Sequence, residues 1–579
     1  MGGKAWVAAL AAAGILCVAA VLILRSKPTT PHALAPPVSD RPAIDPVTDH
    51  DRVEEAQSKA GGFLKKAISA PLLKGDTGPI LTYLTPDFRG RFPGLEDGKR
   101  LDEDGLVITD FAGISLPETV ANLFITRLKV LLGRFLSITR CQFRCYTFLL
   151  DKGEKRARGL YHWWLSGTGP SNARLEVQGD FAVDFEGPPD SWKISRIEFP
   201  AGAGQLVEST RPTFANISDP TGFEFAFSEE GRRALQSAID NRTMTNVGGL
   251  AAVDWNHDGF PDLIATNESR RSVVFVNDGK GGFTPEALPE EGALFYLYLD
   301  LDGDGIEELV STQPAWYRGD KACLGLYTRK DGTWIFKESL VFDNPSTARE
   351  LLFHHVTAAD VDGDGRLDLF VSAYSNSESG GQAFNFMNAQ TGQRNLLFMN
   401  KGGLKFSEEA EARGIRGTRY HYVAEFFDLD NDGDLDLLVI NDFGPDNLYW
   451  NQGDGRFIED PHHPIIREPA FGMGLAIADF DNEGKYSVYV SNMYSHAGNR
   501  MLAVSPKLRD DVKHALLFSV QGNALYEPPD WKETAAARGI ARADWSWGCV
   551  FFDLDNDADK DLFVANGFTT HSDPTAPDY

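Results

Sequence analysis

From residue 254 onward one acidic nonapeptide is written six times: DWNHDGFPD at 254, DLDGDGIEE at 300, DVDGDGRLD at 360, DLDNDGDLD at 428, DFDNEGKYS at 479 and DLDNDADKD at 553. Successive starts are 46, 60, 68, 51 and 74 residues apart. Each copy sits between short apolar runs, such as VAEFF before the fourth and LLVIN within its exit strand. A further shared piece follows in three units: VVFVNDGKGGF, NLLFMNKGGLKF and NLYWNQGDGRF. Like charges this dense repel one another unless a cation sits among them. A solvated turn would account for one copy, but poorly for a pattern repeated in matching contexts. Strand, acidic loop, strand, Asn-Gly-type turn and strand describe an antiparallel sheet of about four strands. Sheets recurring at such intervals read as propeller blades.

The consensus D-x-[DN]-x-D-G-x-x-[DE] sends oxygens from positions 1, 3 and 5 to one side of a tight loop. Glycine at position 6 allows the turn, position 7 offers a carbonyl and position 9 closes the shell. Six to eight oxygens at about 2.3–2.6 Å suit Ca²⁺ better than Mg²⁺, which keeps waters and strict octahedra. The expected ligands are Asp254, Asn256, Asp258 and Asp262 in the first copy and Asp300, Asp302, Asp304 and Glu308 in the second. The third supplies Asp360, Asp362, Asp364 and Asp368. The fourth supplies Asp428, Asp430, Asp432 and Asp436, with Asp434 giving its carbonyl. The sixth supplies Asp553, Asp555, Asp557 and Asp561, with Asp559 at position 7 and Ala558 in place of glycine. The fifth, with Glu483 at position 5 and Ser487 at position 9, is expected to be weak or empty. An EF-hand places Glu at position 12 between helices. Here position 12 is Ala265, Ser311, Val371, Val439 or Val564, and the flanks are β-like.

Counting loops gives six blades, and a seventh has room in the wide gaps at 312–350 or 495–545. TGFEFAFSEE, residues 221–230, resembles the blade-ending LKFSEEAEARGI at 404–415. It is expected to complete the last blade and remove an exposed sheet edge.

These residues resemble the FG-GAP/VCBS repeats of integrin α-type β-propellers. FGMGLAIADFDNEGKYSVYVSNMYSHAGNRM and DWSWGCVFFDLDNDADKDLFVANGF are similar to the ASPIC, or cartilage-acidic-protein-like, group. The resemblance covers about residues 210–579. It implies a calcium-binding propeller that is secreted or displayed on a surface.

Ala5 to Leu24 is a 20-residue run without charge. About 20 apolar residues span a bilayer as a helix, whereas a signal-peptide core is shorter. Residues 1–27 are therefore expected to be a signal anchor, or else a cleaved signal peptide, followed by a Pro-rich linker at 28–50. Residues 51–205 combine helical spacing with later alternating runs such as CQFRCYTFLL and ARGLYHWWLSG. They predict a small α+β domain whose order resembles the nuclear-transport-factor-2-like cone. Cys141 and Cys145 on one strand would have Cα atoms roughly 13 Å apart, too far for a disulfide.

The formal charge is −27, from 56 basic and 83 acidic residues, which argues against nucleic-acid binding. The fold class is mainly β: a six- or seven-bladed propeller with calcium loops, behind a small α+β domain and an N-terminal membrane helix. The expected function is a non-catalytic, extracytoplasmic module that binds a protein or glycan through loops such as 374–395 and 492–517. The rivals are a carbohydrate-active lyase or hydrolase and an envelope scaffold. No H-E-x-x-H, G-x-S-x-G, phosphate loop or dinucleotide fingerprint appears. His354, His355, His462 and His463 form adjacent pairs that, on strands, would point to opposite faces and make poor joint ligands.

Overall fold

The computed structural model describes residues 44–567 apart from 48, 95–96, 104–105, 112–113, 115, 200–203, 211–220, 223–232, 234–248, 267–271, 290–292, 294, 314–320, 344–352, 375–387, 467–468, 496–497, 499–501, 503–508 and 555–556. The apolar run at 5–24, most of the linker and residues 223–230 thus lie outside the described residues. Among those described, no helix is long and apolar enough to cross a membrane.

The first domain opens with the helix His50–Leu64, capped by the Asp49 side chain on the Arg52 N–H. Val53, Ala56, Ala60, Leu64, Ala67 and Ile68 recur at helical spacing and are all buried. They pack, with the helix Ala121–Leu132, on one face of a nine-stranded sheet. One limb of it is the antiparallel run Ser137–Leu150, Arg156–Thr168 and Arg174–Glu186, with the first of these at an edge. Alternate residues of these strands (Tyr161, Trp163 and Leu165 on the second) point into the core, as a period of two requires. Cys141 and Cys145 are buried on the first of the three and are not joined by a disulfide.

The remaining chain builds five four-stranded antiparallel sheets in series. Their first strands are Leu250–Val253, Tyr296–Leu299, Phe353–Ala359, Tyr420–Phe427 and Gly472–Ala478. In each, an acidic loop joins the first strand to a second one that is buried on both faces. Asp436–Asp442 is buried at every position, which is why the sequence there is a continuous apolar run and not an alternating one. Hydrophobic clusters fill the space between successive sheets. One joins Trp255, Ile264 and Val274 of the first to Tyr296 and Leu309 of the second. Others link the second to the third, the third to the fourth and the fourth to the fifth. Sheets stacked face to face around their first strands make a propeller arrangement.

Five complete blades stand among the described residues, where six or seven were expected. The sixth acidic loop lies in a sheet of two strands, Ser546–Phe552 and Asp561–Asn566. That sheet packs on the fifth blade through Phe551, Leu562 and Val564. Neither wide gap holds a seventh blade among the described residues. The first carries the long outer hairpin Lys321–Lys330 and Thr333–Asp343 of the second blade. The second carries the helix Asp510–Ser519 and the outer strands of the fifth.

The outer face of the first domain's sheet meets the propeller. Arg144 Nη1 donates to Asp544 Oδ2 at 2.6 Å. The Arg542 guanidinium lies 5.6 Å from the Tyr146 ring and 5.5 Å from the Tyr494 ring. Beside Tyr146, His162 Nδ1 is 2.7 Å from Asp180 Oδ1.

Candidate metal centre

All six acidic loops turn alike. The position-1 aspartate accepts from the backbone N–H groups of positions 5 and 6. In the first loop, Asp254 accepts from Asp258 and Gly259 at 3.0 Å each. In the fourth, Asp428 accepts from Asp432 at 3.1 Å and Gly433 at 3.0 Å. Even the degenerate fifth keeps the pattern through Asp479. Position 6 has φ of +83°, +83°, +84°, +97° and +75° at Gly259, Gly305, Gly365, Gly433 and Gly484. In the sixth loop Ala558 adopts φ +75°, which costs an L-residue about 1–2 kcal/mol.

Carboxylate oxygens converge within 4.8 Å of one another in three loops: Asp300, Asp302 and Asp304; Asp360, Asp362 and Asp368; Asp428, Asp430 and Asp436. All are oxygen donors, the set that a hard cation such as Ca²⁺ takes. The other expected ligands are placed differently. In the first loop Asn256 Nδ2 donates to Asp258 Oδ2 at 2.9 Å, so that pair faces inward on itself. Asp364 pairs with the Arg366 guanidinium, and Asp432 Oδ1 accepts from the Asp434 N–H at 3.0 Å. Asp434 turns its carboxylate toward Gly453. In the sixth loop Asp553 accepts from Asp557 and Ala558, and Asp555 lies outside the described residues. Asp559 accepts from Asn482 Nδ2 of the fifth loop at 3.0 Å.

Position 9 does more than its spacing suggests. One oxygen of Asp262, Glu308, Asp368, Asp436 and Asp561 accepts from the position-2 N–H, at 2.8, 3.0, 3.2, 3.0 and 2.9 Å. In three blades the other oxygen accepts from the N–H of Asn277, Asn400 or Asn451, at 2.6, 2.7 and 3.0 Å. Those asparagines are the Asn of the shared third-strand piece. Asn400 and Asn451 also reach the preceding blade, donating to Leu301 O and Val361 O at 2.8 Å each. The sequence marked them as turn residues; their part in joining blades emerges only when the sheets stack.

The family models match this region: residues 300–371 and 428–490 are FG-GAP-like repeats. The chain carries an FG-GAP β-propeller. Over 274 residues it is 25% identical to cartilage acidic protein 1 of Mus musculus, covering 44% of this chain and 41% of that protein. Against the Homo sapiens protein of the same name identity is 24% over 274 residues, covering 44% and 40%. The chain thus matches about two-fifths of the length of these relatives. The solved structure of BBS1N in complex with ARL6DN aligns with a TM-score of 0.31 and 12% identity, over 55% of this chain and 78% of that one. A likeness of that degree carries no weight.

In the FG-GAP propeller, burial holds the position-9 carboxyls above their usual range: Glu308 at about 7, Asp368 at about 6 and Asp436 at about 6. Backbone N–H bonds pull the other way, and neighbouring carboxylates add to the rise. A group whose folded pKa is raised binds more protons folded than unfolded. Metal-free protein is therefore expected to lose stability as pH climbs from about 4 toward about 7. Calcium bound there would hold these groups ionised, expel protons and flatten that slope. Urea midpoints at pH 5 and 7.5, with and without calcium, check the sign.

A second cluster sits at the other end of the blades, and sequence reasoning missed it. His354 lies 4.5 Å from the Tyr374 ring and 4.3 Å from the Tyr422 ring. Tyr374 Oη donates to Asp442 Oδ2 at 2.6 Å. The adjacent-histidine argument fails at His354 because the first strand bulges between Phe353 and His355, which breaks the alternation. His462 and His463 lie in a turn, not on a strand, with His462 exposed. Of the two loops expected to touch a partner, 375–387 and most of 496–508 lie outside the described residues.

Proposed function

We propose that this chain is a calcium-stabilised, non-catalytic binding module that works outside the cytoplasm and presents its propeller to a protein or glycan. The observation that carries the reading is the convergence of three carboxylates at one equivalent place in three successive blades. Calcium modules of extracellular type bind at about 10⁻⁴–10⁻³ M, far above cytosolic calcium levels. Such loops therefore fill only outside the cytoplasm. The relatedness to cartilage acidic protein 1 supports the same setting. The uncharged run Ala5 to Leu24 and the Pro-rich stretch behind it suit a membrane tether with a spacer. The domain that meets the propeller through Arg144 and Tyr146 would orient the module on that tether.

The test is a calcium titration of the full chain by calorimetry, with chelator-treated protein as reference. Three sites are expected, one in each convergent loop, and none of these three in a variant carrying Asp300→Ala, Asp360→Ala and Asp428→Ala together. Absence of calcium uptake by the folded chain would refute the reading. One observation favours a carbohydrate-active alternative, the Tyr374–Asp442 bond beside His354. Release of reducing ends from a polysaccharide would favour it.

A further inference from the structure

We propose that the end of the propeller remote from the acidic loops receives a lysine or arginine side chain of a protein partner, in a nest made by Tyr374, Tyr422, His354 and Asp442. The inference rests on the reading of the chain as a binding propeller and names the partner's chemistry.

Four independent features mark the place. First, the inner strands bulge at one equivalent position in four successive sheets, between Phe353 and His355, His421 and Val423, Gly472 and Gly474, and Ser546 and Gly548. The first two blades show no such shift. Bulges re-aim a side chain and gather near functional sites. The residues set free are His354, Tyr422, Met473 and Trp547, and Tyr422 and Trp547 both pack on the Met473 cluster.

Second, Phe443 follows Asp442 with φ +60°, a strained backbone for a bulky residue. Its ring stands edge-on to Tyr420 at 5.7 Å and to Phe471 at 5.5 Å. Strain of this kind persists where function needs a side chain held in place.

Third, two polar atoms in the nest have no hydrogen-bond partner among the described residues: Asp442 Oδ1 and His354 Nε2. Asp442 is 2% exposed and His354 5%. An unmet buried polar atom is costly, and more so when charged. Each is therefore better explained by a group that visits than by a permanent vacancy in bonding.

Fourth, the charge is one-sided. Burial raises the Asp442 carboxyl to about 7, the Tyr374 hydroxyl and the Phe443 N–H pull the other way, and no basic group perturbs it, so its charged form still wants a cation. Burial keeps His354 neutral. A carboxylate enclosed by aromatic rings and lacking a cation is matched by an ammonium or guanidinium group. That group would donate to Oδ1 and lie against the ring faces, an attraction that strengthens when desolvated. An anion would meet the carboxylate. Tyr422 and Phe443 are the half-buried members and form the open side. The chain's net charge of −27 draws a basic partner to this surface.

The experiment uses the calcium-loaded full chain and four probes: acetyl-Gly-Lys-Gly-amide, its Nε-acetyl-lysine form, ethylammonium and a neutral trisaccharide. Calorimetry at physiological salt is expected to show the lysine peptide binding on the order of tenfold or more tighter than the acetylated one. Asp442→Asn should abolish that preference. Glu411→Gln, at an exposed acid elsewhere, should keep it. Should Asp442→Asn not fold, as judged by its melting curve, Tyr422→Ala on the rim should weaken the lysine peptide selectively. Equal binding of both peptides overturns the proposal, as does loss of the preference in Glu411→Gln. Ethylammonium binding as tightly as the peptide overturns the assignment to a protein side chain. If calcium binds in the expected number and a neutral trisaccharide, not the lysine peptide, occupies the site, this inference fails while the calcium-module reading stands.

Discussion

Stripping calcium from the full chain should lower the melting temperature of the propeller by roughly 8–16 °C. At ten times its dissociation constant a bound ion adds about 1.4 kcal/mol to the folded state. Three convergent loops then contribute about 4 kcal/mol, and for domains of this size each kcal/mol moves the midpoint by about 2–4 °C. Asp300, Asp360 and Asp428 anchor those loops, so Asp→Ala at any one should remove about a third of the response. Asp479→Ala in the fifth loop should leave it unchanged, since Ser487 supplies no acid at position 9. Calorimetric scans with calcium and with EGTA are the measurement. Coincident melts would sink the metal-clamp account altogether.

Asp436→Ala should cost far more than Asp430→Ala in calcium-saturated protein. Both aspartates belong to one convergent group, so each loses the ion. Asp430 is exposed, and its removal should cost only the ion's contribution, about 1.4 kcal/mol. Asp436 is 3% exposed and accepts from both Leu429 N–H and Asn451 N–H. Removing it strands two buried donors at about 1–3 kcal/mol each. The total is then about 3–7 kcal/mol, enough to unfold many domains. Asp436→Asn retains one acceptor and should fall between. Urea denaturation of the three variants gives the ranking; equal losses at Asp430 and Asp436 would contradict the stapling role.

What the sequence disclosed follows from how local each feature is. The acidic loop closes within nine residues, so spacing alone located its turn, its glycine and the position-1 aspartate that accepts from the loop's N–H groups. The buried second strands were legible as unbroken apolar runs because neighbouring sheets cover both their faces. Position 9 was read only as a metal ligand. Its bond to Asn451 spans fifteen residues and needs the third strand in place. The inner-strand bulges were invisible for a different reason. A period of two carries no mark where one residue is inserted, so His354 and His355 looked like ordinary alternating neighbours. Blade counting overshot because an acidic loop reports only the first two strands of a sheet, and the sixth loop has only those two among the described residues.

The Arg144–Asp544 bond and the Arg542 guanidinium between Tyr146 and Tyr494 have a mechanical meaning. A force applied to the first domain would reach the propeller beside the sheet that has two strands among the described residues, the one that starts at Ser546. Such a pull would load the packing of that sheet on the fifth blade before the blades with well-formed acidic loops. The first domain is thus a grip on the sheet with the fewest strands among the described residues, and loosening under an applied load would begin at that seam.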